Sequence, residues 1–164
     1  MVKKVFAAFL PLIFLICSDV YPFQYEDYQW GKPLDEVAKE LDNKRKTFSF
    51  TEDGLMYNER ILDEPCAVFL YFTPKSKELA FIFLSWDTTS LGEEIKGTLV
   101  EKYGDFTTID TNIYIWSGPD KDLKKDISDS IYLNYALGSA RLIYFGGEYY
   151  DKFTEEVRSI EENK

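Results

Sequence analysis

Residues 67–86 read AVFLYFTPKSKELAFIFLSW, two apolar runs separated by the polar island TPKSKE. Neither run reaches the roughly 20 apolar residues that a membrane-spanning helix needs. The stretch is therefore predicted as a β-hairpin turning at residues 74–78. Side chains alternate across a strand, so Val68, Leu70 and Phe72 share one face and Phe69 and Tyr71 the other. SIYLNYALGSARLIYFGG (130–147) repeats the design: Ile131, Leu133 and Tyr135 form an apolar face, with Tyr132 and Asn134 opposite. Further upstream, Phe48 and Phe50 alternate with Thr47, Ser49 and Thr51, a half-buried strand. Asp53-Gly54 is a short-turn signal leading into a strand over 55–62, and Pro65 breaks the pattern after it. FTTIDTNIYIWS (106–117) alternates weakly, as one long strand or a strand pair.

Three segments show helical spacing instead. In WGKPLDEVAKELDNK (30–44), Leu34, Val37, Ala38 and Leu41 fall on one stripe. Pro33 suits the first helical position, and Asp35 and Glu36 suit the positive end of the helix dipole. Residues 87–105 form a second helix, with Ser90 and Glu93 at capping-box spacing, Gly97 inside it and Gly104 placed to end it. Residues 148–161 form a third, with Tyr150, Phe153, Val157 and Ile160 three or four apart. Before the first helix, YPFQYEDYQW (21–30) reads as an extended lead-in.

The two hairpins align without gaps. AVFLYFTPKSKELAFI (67–82) lies over SIYLNYALGSARLIYF (130–145) at an offset of 63 residues. Val68, Leu70 and Phe72 match Ile131, Leu133 and Tyr135, and Leu79 and Phe81 match Leu142 and Tyr144. The two helices that precede them align at nearly the same spacing. The expected architecture is α+β: an antiparallel sheet with helices on one face, an internally duplicated helix-strand-strand-strand unit (30–86 and 90–147), and a C-terminal helix. A helix opening WGKPLDEV, then a strand meander, then a second such unit resembles the BamE/SmpA-like and beta-lactamase-inhibitor-protein-like group of small exported proteins. The resemblance covers nearly all of the chain that would remain after cleavage of a signal peptide, residues 19–164. It implies tandem helix-plus-antiparallel-sheet units that bind another protein. The chain departs from that pattern at Lys32, where a Ser or Thr cap is usual, in having no glycine after Leu41, and in lacking paired cysteines. No functional residue is carried over from it.

The start of the chain changes where such a domain is expected to work. MVKK, then VFAAFLPLIFLI, then CSDV has the basic, apolar and small-residue order of a secretory signal peptide over 1–18. Cys17 also suggests the layout of bacterial lipoproteins, in which lipid is attached to the cysteine, although Ile16 is large for the position before it. The expected location is periplasmic or extracellular, with membrane attachment only through an uncleaved signal anchor or lipid at Cys17. Cleavage after Ser18 takes 164 residues to 146 and, with Lys3 and Lys4 removed, the net charge from −10 to −12. That is one domain of ordinary size, residues 19–29 leading into 30–164. So acidic a chain is a poor match for nucleic acid, whose binding runs on phosphate neutralisation by Lys and Arg, and for anionic membrane surfaces. Cys66 alone would remain, so no internal disulfide supports the fold, and a buried inert thiol is expected.

Candidate chemistry is sparse. The chain has no histidine, which removes Ser–His–Asp and Cys–His machinery within it. No nucleophile-elbow, phosphate-loop or dinucleotide glycine pattern occurs. Paired carboxylates would suffice for a glycoside hydrolase, but Asp87, Glu93 and Glu94 read as charges around a helix start. Asp120, Asp122, Asp126 and Asp129 lack the spacing and the glycine of a calcium loop and alternate with Lys121, Lys124 and Lys125, a solvated loop over 118–130. No cofactor and no metal are expected. Aromatic residues make up 17% of the chain, and they are where a binding role concentrates. Phe69, Tyr71 and Tyr132, with Tyr114 and Trp116 from the preceding strand, are the candidate binding residues on a sheet face. The expected function is non-enzymatic binding of another exported or envelope protein. Carbohydrate or small-molecule binding is the alternative, and a carboxylate hydrolase a more distant one.

Overall fold

A computed structural model describes residues 23, 25–117 and 130–163. The expected signal peptide with Cys17, and the charged loop apart from Ser130, lie outside these residues. The elements follow in the order α1 (Leu34–Asn43), β1 (Phe48–Phe50), β2 (Gly54–Ile61), β3 (Glu64–Phe72), β4 (Leu79–Trp86), α2 (Gly92–Tyr103), β5 (Thr107–Asp110), β6 (Ile113–Ser117), β7 (Ser130–Ala136), β8 (Ser139–Phe145) and α3 (Glu148–Glu161). The fold is α+β. All eight strands join in one antiparallel sheet, ordered β1-β2-β3-β4-β8-β7-β6-β5. Each half is a helix followed by a four-strand meander, not the three strands expected. The halves meet where β4 pairs with β8, Phe83 opposite Ile143 and Leu84 opposite Leu142.

The turns follow from local chemistry. Leu62-Asp63 and Leu137-Gly138 all have positive φ, the two-residue turn whose twist matches that of the flanking strands. Pro65 does not precede β3 but lies in it, opposite Arg60. α1 ends without glycine: Arg45 takes φ 56°, and the Lys46 N–H closes back on the Leu41 carbonyl at 2.9 Å. Pro33 stands just before α1, in extended conformation. The capping box of α2 does not form. Its N-cap is Leu91, and the Ser90 hydroxyl pairs with that of Thr88 at 2.8 Å.

One face of the sheet forms the core. Val68, Leu70, Ile82, Leu84, Ile131 and Leu133 are 0–1% exposed, each worth about 1.5–3 kcal/mol of burial. Val37 and Leu41 of α1 and Ile95 and Leu99 of α2 pack into the same cluster. The lead-in is not simply extended. It turns at residues 25–27 and anchors on this face by rings: Tyr25 lies 5.6 Å from Tyr144, and the Tyr28 and Tyr57 hydroxyls pair at 3.1 Å. The helix expectation holds for α1 and α2. α3 departs from it and packs on the other face, Tyr150 and Phe153 meeting Phe81 at 5.6 and 5.1 Å.

Register also revises the alignment of the hairpins. The offset of 63 holds for β3 over β7, since Val68 and Ile131 both sit in the core. For β4 over β8 the matching core pairs are Ile82 with Leu142 and Leu84 with Tyr144, an offset of 60. The turn after β3 is longer, and a bulge lies at Tyr71/Phe72. Phe81 and Tyr144, aligned by the ungapped comparison, therefore point to opposite faces.

Candidate functional site

The second face is built by the same alternation that builds the core. Reading the pairings across the six inner strands gives ordered rows. Met56, Phe69, Phe83, Ile143, Tyr132 and Ile115 face one another in succession. Neighbouring strands lie about 4.8 Å apart, so this row is roughly 24 Å long. All but Ile115 are only partly buried, whereas their chain neighbours Leu70, Leu84, Leu142, Ile131 and Leu133 are at most 4% exposed. Phe69 and Phe83 pack ring to ring at 5.6 Å.

On one side of this row lies Tyr71–Phe81–Phe145, the part of the face that α3 covers. Tyr71 stacks on Phe81 at 4.4 Å, and Tyr150 of α3 reaches Phe145 at 4.6 Å. Burial pushes the Tyr71 and Tyr150 hydroxyls above their ordinary pKa. The helix is shallowly seated, with no residue fully buried. Polar contacts to the β3–β4 turn hold it. The Glu156 carboxylate accepts from the Lys75 N–H at 2.6 Å and the Ser76 hydroxyl at 2.9 Å, and Lys152 pairs with Glu78. Burial raises the Glu156 carboxyl, but the Lys75 and Ser76 donors outweigh it and bring it below its usual value. Lys152 does the same for Glu78.

On the other side lies a polar row: Asn58, Ala67, Ser85, Arg141, Asn134 and Ile113. The second face thus grades from aromatic and helix-covered, through aromatic and half-exposed, to polar.

Of the residues expected to form a patch, Phe69, Tyr71 and Tyr132 share this face. Tyr114 and Trp116 do not join them. Tyr114 stands opposite Leu133 and Trp116 opposite Ile131, which puts both on the helix-packed face. Trp116 is 1% exposed, and its indole N–H donates to the Gly104 carbonyl at 3.0 Å. Tyr114 stacks on Tyr135 at 5.5 Å, beneath the Lys96 ammonium at 4.7 Å. Sequence reasoning passed over Phe83, Ile143, Phe81 and Phe145. Their signal was present in the alternation of FIFLSW and ARLIYF, but only the register between strands says which parity joins Phe69.

Glu93, one of the carboxylates considered for catalysis, is bound by Lys96 at 2.6 Å and by the Tyr135 hydroxyl. These two hold it below the usual carboxylate range, the opposite of what a general acid requires. Among the described residues no group of three His, Cys, Asp or Glu side chains is placed to hold a metal ion. No described helix is long and apolar enough to cross a membrane.

No family model matches the chain, and no curated protein or solved structure proved similar to it.

Proposed function

We propose that the protein is an exported, non-enzymatic protein-binding or envelope-associated module whose aromatic sheet face holds another exported protein. The observation that carries this reading is the partly buried row from Met56 through Phe69, Phe83 and Ile143 to Tyr132, an apolar stripe roughly 19 Å long bordered by a polar row. A contiguous patch with a polar rim is the anatomy of an interface, and rigid aromatic rings are its usual anchors. The N-terminal composition supports export, and the order of elements in the two halves supports an internal duplication. The test is photo-crosslinking in the native envelope from a benzophenone side chain at Phe83, with Glu101 on the exposed side of α2 as control. A discrete adduct from position 83, absent from position 101 and lost in Phe69→Ser/Tyr132→Ser, supports the reading. The same adducts from both positions, or none from position 83, overturn it.

A second reading, small-molecule binding, rests on a cavity of about 120 Å³ on the helix-packed face, lined by Tyr25, Leu84, Trp86, Ile95, Leu142 and Tyr144 among others. Apolar cavities near this size accept benzene-sized molecules. A concentration-dependent rise in the melting midpoint with small aromatics, abolished by filling the cavity with Thr98→Leu, would favour it.

A further inference from the structure

We propose that the partner surface meeting this sheet presents an Asp or Glu carboxylate, and that Arg141 receives it. The inference rests on the protein-binding reading above and specifies the chemistry of the partner. The chain has a net charge of −10, yet along the six inner strands the second face carries only two charged residues, Arg60 and Arg141. Both are cationic. Arg60 is occupied by the Asp63 carbonyl of its own turn. Arg141 is exposed, and among the described residues its side chain has neither a hydrogen bond nor an ion pair.

Its position suits recognition. Arg141 is two residues from Ile143 of the apolar row and is flanked across the sheet by the short side chains of Ser85 and Asn134. A planar guanidinium with room around it binds a carboxylate through two parallel N–H bonds. The acidic residues of α3 are not placed to serve. Glu156 is held at the β3–β4 turn, at the opposite end of the strands from Arg141, which pairs with Ser85.

A second group beside it is also unmatched. Asn134 and Arg141 line a cavity of about 60 Å³ with Ala136, Leu137 and Ser139. The Asn134 side-chain oxygen is buried and has no hydrogen-bond partner, while its amide nitrogen reaches the Tyr132 hydroxyl only at 3.5 Å. The exposed Arg141 guanidinium beside this cavity matches an acidic residue of a partner, whose carboxylate accepts from it, and among the described residues no donor competes for that place at Asn134. Because the surrounding charge is negative, the field of the whole chain does not steer acidic surfaces inward. Arg141 therefore acts after contact, slowing dissociation rather than speeding association.

The test is a selection of random 12-residue peptides on the full chain in mild detergent, run in parallel on Arg141→Gln and on Phe69→Ser/Phe83→Ser. Thermal melts confirm that each variant is folded. The expected result is peptides that pair an Asp or Glu with aromatic or aliphatic residues. These should bind Arg141→Gln about 30-fold more weakly through a faster off-rate, lose binding to Phe69→Ser/Phe83→Ser, and regain affinity for Arg141→Glu when their acid is changed to Lys. Peptides that need Phe69 and Phe83 but show no acidic enrichment, or that tolerate Arg141→Gln, overturn the carboxylate inference and leave the face reading standing. Peptides indifferent to Phe69→Ser/Phe83→Ser, or no peptides at all, overturn the face reading and the inference with it.

Discussion

Leu84 and Phe83 are neighbours in one strand, and their truncation separates a core face from a surface face. Leu84 is 1% exposed, opposite Val68 and Leu142, and already borders the cavity of about 120 Å³. Leu84→Ala removes three buried carbons, about 2.4 kcal/mol at ~0.8 kcal/mol each. The enlarged void adds ~1–2 kcal/mol. The expected loss is about 4 kcal/mol. Phe83 is only partly buried. Phe83→Ala forfeits a fraction of a ring's burial, about 1 kcal/mol, and one ring pair with Phe69, about 0.5 kcal/mol. Urea unfolding followed by tryptophan fluorescence should place the Leu84→Ala midpoint far below that of Phe83→Ala, with similar m-values. In melts, the two should fall by on the order of 12 °C and 5 °C. Equal losses, or a larger one at Phe83, would mean that the second face is a second core with no surface to offer, and the binding proposal would fall with it.

Other consequences are as direct. A Cβ on Gly92 would lie 2.1 Å from the Tyr135 ring, whereas one on Gly97 meets nothing within 4 Å. Calorimetry should find Gly92→Ala destabilising by about 2 kcal/mol and Gly97→Ala, in the same helix, stabilising by about 1 kcal/mol. Glu78 and Glu156 have carboxyls lowered in the folded state, so their contribution to docking α3 is present above the unfolded value near 4.5 and is lost as pH falls below it. Amide exchange, corrected for intrinsic rates, should show 148–161 losing protection before β3 and β4 do as the pH is taken below 4.5; simultaneous loss would refute a separately held helix. Cys66 is 1% exposed, and burial pushes its thiol up to about 12, so iodoacetamide at pH 8 should leave it unmodified until the chain unfolds, as read by peptide mass spectrometry.

How much of this was legible in the chain follows from what period-two alternation can say. It separates Val68, Leu70 and Phe72 from Phe69 and Tyr71 within one strand, and it did so correctly, as did the helical stripes of α1 and α2. It does not give the phase between strands. Tyr114 and Trp116 were grouped with Tyr132 because all are aromatic in adjacent strands, yet the pairing sets Tyr114 against Leu133 and Ile115 against Tyr132. The twelve residues between these two strands, 118–129, have a charged composition that carries no register signal. Likewise a net shift of three residues, made up of a longer turn and one bulge, reverses the parity of the second strand in the hairpin comparison. α3 shows the same limit for helices: its apolar stripe was readable, but a stripe does not say which side of a sheet it will meet. The lead-in reads as polar, aromatic and extended, but its spacing does not say that Phe23, Tyr28 and Trp30 enter the core, with Tyr25 packed against it.

The edges of the sheet bear on how a partner would engage it. An eight-stranded sheet offers two routes to another protein, strand addition at an edge or contact on a face. The edges here are poor templates. β1 has three residues and β5 four, and β5 is irregular between Thr108 and Asp110. Short and bulged edges are the usual defence against pairing with foreign strands. The two large side chains exposed there, Phe50 at 66% and Ile109 at 55%, are single residues and not a row. The second face is the reverse: its strands are long and paired on both sides, and its rings are locked by cross-strand packing. Such rings lose little conformational entropy when covered. α3 already uses that property over Phe81 and Phe145, where a helix with no fully buried residue holds its place with a few rings and a polar clasp. The adjoining row offers the same rings without the clasp. A partner that seats there needs to supply only complementary apolar surface and a group for the polar border, which is why Phe69, Phe83 and Arg141, rather than any edge strand, are where the binding proposal stands or falls.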